Sequence, residues 1–246
     1  MPRRPRVLLA DYALHIVQHG INREPCFFTD EDDYCYLHWL GAVAGDCGCT
    51  IHAYGLMTNH VHLLLTPLAS RAHSRMMQSV GRRYVQQYIN RFYRRTGSLG
   101  EGRYKSSVVQ DESYLLACQR YSELNPVRVG MVVDPGQCRW SSYRANGLGA
   151  EDARLTLHSL SRSLGVDAGE RQVAYRMLFR PESDAEAADD IRQALQLSMP
   201  AGNERFAQTI SARQGIRYNT DQRERPNKPV GKVRTPPVAN QQNIRF

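Results

Sequence analysis

Met57-Thr58-Asn59-His60-Val61-His62-Leu63-Leu64-Leu65-Thr66-Pro67 sets two histidines one residue apart at the head of an apolar run. Its alternation reads as a β-strand, in which successive side chains leave on opposite faces. His60 and His62 therefore share one face, while Val61, Leu63 and Leu65 turn to the other as an apolar underlay. Two imidazoles at that spacing suit a single divalent ion, because neutral ring nitrogens offer lone pairs at a fixed separation. His-x-His also arises by chance, so the pair gains meaning only from what the rest of the chain sets beside it.

Working outward, residues 50–57 read as a strand, and Thr58-Asn59 form a turn short enough to make the two strands antiparallel neighbours. Further back, residues 13–18 read as a first strand ending at His19-Gly20. Thr29 and Asp30 can cap a helix over 31–43 that Gly45 and Gly48 break. On the other side Pro67 closes the strand, and 70–95 show a long helical pattern with Met77, Val80, Tyr84, Tyr88 and Phe92 on one face. Arg71, Arg75 and Arg82 share another face, joined by Arg83, Arg91, Arg94 and Arg95, with no acid in the stretch. Residues 103–110 then read as a fourth strand and 112–125 as a helix capped by Asp111 and limited by Pro126. Strand, helix, two strands, helix, strand predicts an α+β fold, a ferredoxin-like split βαβ layer with an antiparallel sheet.

The 246 residues exceed ordinary single-domain size, so a main domain plus an appendage is expected. The boundaries fall at 1–147 for the main domain, 148–215 for a small helical extension, and 216–246 for a disordered basic tail rich in Arg, Lys, Asn, Gln and Pro. A formal charge of +8 favours a polyanionic partner, although a basic enzyme of another kind has the same sum. Six cysteines without a Cys-x-x-Cys pair, and no apolar run long enough to cross a bilayer, lead us to expect a soluble, cytoplasmic protein with no membrane partner.

Chemistry enters with a second stripe. Tyr114, Cys118, Tyr121 and Asn125 recur at helical spacing, so the end of that helix brings a phenol and an amide toward the histidine strand. Asn125 can give a third oxygen ligand to a hard cation, and Tyr121, one turn away, can attack a phosphate held there. A tyrosine on a core-facing stripe is more often simply packed, and Tyr84 and Tyr88 are rival nucleophiles on a bulky apolar face. His15, His19 and His52 could also approach the site, His19 foremost because it ends a strand. Arg75, Arg82, Arg83, Arg103 and Lys105 are the candidate phosphate contacts, and Tyr104 a candidate for base stacking.

The ordered blocks Gly20-Ile21-Asn22-Arg23, Met57 to His62, Gly102 to Ser107, Arg120 to Arg128 and Trp140 to Tyr143 resemble the REP-associated tyrosine transposases, single-tyrosine members of the HUH nucleases. The resemblance spans about residues 12–145. It implies a metal-dependent endonuclease and strand transferase that cuts single-stranded DNA near short palindromic hairpins through a 5′-phosphotyrosine intermediate. By motif, His60, His62 and Asn125 become the ligands of Mg2+ or Mn2+ and Tyr121 the nucleophile. Single-stranded or hairpin DNA with REP-like palindromes becomes the partner, and the enzyme works as a monomer or homodimer. Ser122 and Val129 depart from the usual family residues. The alternatives are a non-catalytic DNA- or RNA-binding module that keeps the fold, and a phosphoesterase using water.

The tail carries Arg217, Arg223, Arg225, Lys228, Lys232, Arg234 and Arg245 against only Asp221 and Glu224. Ending the chain at Gly215 should weaken binding to specific and unrelated hairpins alike and flatten the dependence of log affinity on log salt, with the cleavage position unchanged. Salt titrations of both proteins check this. An unchanged slope would mean that the tail contacts no phosphate.

Overall fold

The computed structural model describes residues 7–89, 99–179, 185–216 and 218. Strands β1 (Leu14–His19), β2 (Cys49–Met57), β3 (His60–Pro67) and β4 (Lys105–Val108) form one antiparallel sheet in the order β2-β3-β1-β4. Helix α1 (Asp30–Cys47) connects β1 to β2, α2 (Ala72–Arg82) leads from β3 towards β4, and α3 (Asp111–Arg128) follows β4.

The alternation expected in β3 is present. Val61, Leu63 and Leu65 join Leu14, Ile16, Leu37, Leu40 and Val80 in the main core under α1 and α2. Leu64 lies on the opposite face with Ala13, Ala53, Leu115, Cys118 and Tyr121. The sheet is thus covered on both sides, and α3 lies on the face to which His60 and His62 point.

Local chemistry sets the helix ends. The Asp32 carboxylate accepts the backbone N–H groups of Phe28 and Thr29 at 2.6 and 2.9 Å, which fixes the start of α1. The helix runs through Gly45, where the sequence suggested a break, and stops at Gly48, whose φ of 69° is the left-handed cap that glycine adopts without strain. Helix α2 widens into π-type turns over Arg83–Ile89; the rest of the helix expected to residue 95, with Phe92, lies outside the described residues.

The expected end of α3 at Pro126 is corrected: the helix continues to Arg128 with the proline inside it. Proline has no N–H to give the carbonyl four residues back, that of Ser122. That carbonyl lies against β2 instead, and a Cβ added at Gly55 would sit 2.6 Å from it. Glycine at this position lets α3 settle onto the sheet backbone.

The C-terminal segment holds α4 (Tyr143–Leu148), α5 (Ser159–Arg162), α6 (Ala168–Met177), α7 (Ala185–Leu197) and α8 (Glu204–Gln214). It packs on α3 as well as following it. Ala188 and Ile191 of α7 share the cluster of Leu115, Cys118 and Tyr121, and Ile210 of α8 enters the main core. Ala201 extends the β4 edge, its N–H reaching the Val108 carbonyl at 2.7 Å. Beyond 216 only Tyr218 is described, so the basic tail lies outside the described residues.

Gly55→Ala should lower stability by roughly 1–3 kcal/mol, because overpacking against a backbone carbonyl cannot relax through a side-chain rotamer. Thermal unfolding of the variant checks it. An unchanged Tm would show that α3 can move off the sheet without cost.

Candidate active site

His60 and His62 stand on the α3 face with ring centroids 5.0 Å apart. Each ring has an orienting partner. The Nδ1 of His60 lies 2.6 Å from the Oδ1 of Asn59, and the Asn59 amide in turn donates to the Arg23 carbonyl at 2.9 Å. A carbonyl oxygen can only accept, so His60 carries its proton on Nδ1 and keeps a lone pair on Nε2. The Nε2 of His62 lies 2.6 Å from the Asn125 side-chain nitrogen, and its Nδ1 3.0 Å from the Nε2 of His15. With Asn125 donating, His62 holds its proton on Nδ1 and passes it toward His15. The Nδ1 of His15 is buried with no hydrogen-bond partner.

Burial keeps these rings neutral. It pushes His15 and His60 down to about 4, the neighbouring His19 and Arg23 charges adding to the effect at His60. His62 is held well below the usual imidazole value, first by burial and then by His15, His60, His19 and Arg128. Neutral rings are what metal coordination requires, since a protonated imidazole has no lone pair.

Helix α3 brings the other partners. Tyr121 is buried, its ring centroid 5.7 Å from those of both His15 and His62 in edge-on geometry. The Arg128 guanidinium carbon stands 4.9 Å over the same ring, and its Nη1 donates to the Tyr121 carbonyl at 3.1 Å. Asn125, one turn from Tyr121, meets His62 directly. The four residues singled out from the sequence therefore converge within one chain.

The donor set fits a divalent cation. His60 and His62 each present an Nε2 lone pair, and the Asn125 amide can turn its oxygen to the place its nitrogen now occupies. Among the described residues no group of three or more His, Cys, Asp or Glu side chains could hold a metal ion, so the fit rests on two imidazoles and an amide.

The other candidates divide. Lys105 and Arg103 are exposed at the β4 edge, Lys105 near enough to His19 to join burial and Arg23 in lowering its pKa, while Glu101 opposes them. Arg75 and Arg82 are exposed and Arg83 sits 5.0 Å over the Trp39 ring, all on or after α2 and so across the sheet from the histidines. Tyr104 is buried, with its hydroxyl 2.9 Å from Ser74 Oγ, and lines a cavity together with His19 and Arg103. Tyr84 is core, donating to the Cys26 carbonyl at 2.7 Å, and the side chain of Tyr88 lies outside the described ones. His52 is held by the Thr156 carbonyl and Thr66 Oγ1. His19 stacks on His60 with centroids 4.9 Å apart. His15 and Arg128 are the partners that sequence spacing undervalued, because a cross-strand diagonal and a two-turn helical step show only in three dimensions.

Residues 9–124 match a protein-family model described as Transposase IS200 like. Among solved structures, the fold is similar to that of a REP-associated tyrosine transposase bound to a REP hairpin, with a TM-score of 0.53 and 16% identity over 64% of this chain and 93% of that one. A crystal structure of a Deinococcus radiodurans R1 protein assigned as a transposase also aligns, with a TM-score of 0.35 and 19% identity over 46% of this chain and 89% of that one. No curated protein matches the chain.

The histidine environment sets a pH dependence. Unfolded histidines take up a proton near 6.5, whereas His15 and His60 in the fold resist down to about 4. The unfolded chain therefore binds more protons in that interval, and each ring makes the fold lose stability as pH falls from 6.5 toward 4. In an NMR titration, both rings should keep their neutral chemical shifts from about pH 8 to about pH 5. Titration of either near its ordinary value would show an open, hydrated site.

Proposed function

We propose that this chain is a single-tyrosine, metal-dependent endonuclease and strand transferase of the IS200-like transposase type, acting on single-stranded DNA beside hairpins. The observation that carries the reading is the contact of Tyr121 and Asn125 with the buried, neutral His62 of the same chain. The family match over 9–124 and the fold likeness support it. The tyrosine helix lies against the histidine strand of its own chain, which supports use of Tyr121 in cis.

Mg2+ or Mn2+ held by His60, His62 and Asn125 would supply Lewis-acid withdrawal of charge from the phosphate. The residues of the chain do the rest. Asn59 and His15 hold the two imidazoles in orientation, and burial excludes the protons that would compete for their lone pairs. The Tyr121 oxygen attacks phosphorus and forms a phosphotyrosine bond to the 5′ side, while the bond from phosphorus to the 3′ oxygen breaks. The phenolic proton is lost and the departing oxygen gains one, leaving a free 3′-hydroxyl. The phosphodiester's energy is retained in the protein–DNA bond, so attack by a second 3′-hydroxyl rejoins the strand without ATP. Arg103 and Lys105 at the β4 edge are suited to hold flanking phosphates.

Incubation with labelled single-stranded hairpin oligonucleotides and Mn2+ should give a covalent adduct that migrates slowly on a denaturing gel. Tyr121→Phe removes one hydroxyl and should abolish the adduct while leaving DNA binding and Tm close to wild type. His60→Ala and His62→Ala should abolish it too, and Asn125→Ala should reduce it less. Cleavage without any adduct would point to water as nucleophile, and an adduct surviving in Tyr121→Phe would move the nucleophile elsewhere.

A further inference from the structure

Between β1 and α1 the chain makes a tight turn at Ile21–Arg23 whose middle is strained. Asn22 has φ 53° and ψ 22°, and Arg23 follows with φ 60°. Asparagine tolerates the left-handed region; arginine does not, and such a residue costs of order 1–3 kcal/mol. The surroundings impose the conformation. Gly20 N–H donates to the Asn59 carbonyl at 2.8 Å, Ile21 N–H to that of Leu99 at 2.9 Å, and Arg23 N–H to that of Gly20 at 3.0 Å. The Asn59 side chain donates to the Arg23 carbonyl at 2.9 Å while its oxygen receives the His60 ring proton. The Arg23 backbone is thus fastened through one side chain to a candidate metal ligand.

Glycine would occupy this position without strain, yet the chain carries an exposed arginine there. Among the described residues no carboxylate forms a salt bridge with it. An exposed cation whose backbone is tied through Asn59 to His60, without an acid paired to it, is suited to an anion that comes from outside.

We infer that Arg23 is a catalytic residue whose guanidinium binds the scissile phosphodiester and neutralises the charge that builds on its non-bridging oxygens as Tyr121 attacks. This rests on the proposed function. The strained turn keeps the Arg23 backbone on Asn59 and so beside His60.

The test is Arg23→Gly, which relieves the left-handed strain and removes the charge. Its Tm should equal or exceed that of wild type, and Mn2+ binding, followed by electron paramagnetic resonance, should persist. Single-turnover adduct formation at saturating DNA should fall about 100–1,000-fold, as expected for loss of one donor to a developing oxyanion. Arg23→Lys should recover part of the rate. On an oligonucleotide with a methylphosphonate at the scissile position, which lacks the charge Arg23 would meet, the gap between variant and wild type should shrink to under about threefold. A rate within about threefold of wild type on natural DNA would overturn the inference. So would a drop in Tm, loss of Mn2+ binding, or an undiminished gap on the methylphosphonate, since each assigns Arg23 a role away from that phosphate. Absence of an adduct with the wild-type protein is a separate result and counts against the proposed function itself.

Discussion

Close approach of α3 to the sheet is the constraint on which the site depends. The helix bears Tyr121 and Asn125, the sheet bears the histidines, and their contact requires backbone to approach backbone at Gly55 and Ser122. Small residues at Ala13 and Ala53 continue that low surface along the same face. Pro126 contributes by removing the N–H that would otherwise draw the Ser122 carbonyl back into the helix. A larger residue on the strand would lift the helix and carry Tyr121 and Asn125 away from His62.

Burial then sets the chemistry. His15, His62 and Asn125 form a polar line inside an otherwise apolar interface, and solvent is excluded from most of it. Desolvation penalises the charged form of each ring, so the imidazoles stay neutral and keep their lone pairs. The same burial leaves the His15 Nδ1 without a partner, a cost the fold carries for the orientation of His62.

The C-terminal helices hold α3 from outside. Glu123, fully buried on α3, accepts from Ser142 Oγ at 2.6 Å, from the Tyr175 hydroxyl at 2.7 Å and from the Asn146 amide at 2.8 Å. Burial pushes its carboxyl up to about 7, while three donors oppose that shift. Arg120 reaches the Leu178 carbonyl, and Gln119 accepts from Ser161. Ser161, Tyr175 and Leu178 of the 148–215 segment thus join Ser142 and Asn146 in holding the helix that carries the candidate nucleophile, and these buried polar contacts make its placement specific.

How much was legible in the sequence follows from the range of each interaction. Strand alternation and helical repeats are local, so the order of elements, the shared face of His60 and His62 and the stripe of Tyr121 and Asn125 could be read directly from residue spacing. The end of α3 could not, because whether a proline stops a helix depends on what receives the freed carbonyl, here a strand distant in sequence. The burial of Tyr104 was hidden because the sequence gives its neighbours but not the helix that covers it. The roles of His15, Arg128 and Glu123 were hidden for the same reason: each acts on a partner brought near only by sheet register or helix docking. Sequence alone determined which chemical groups were present and on which faces. Tertiary structure decided which of them meet and which are desolvated, because both depend on contacts between segments that chain order does not place side by side.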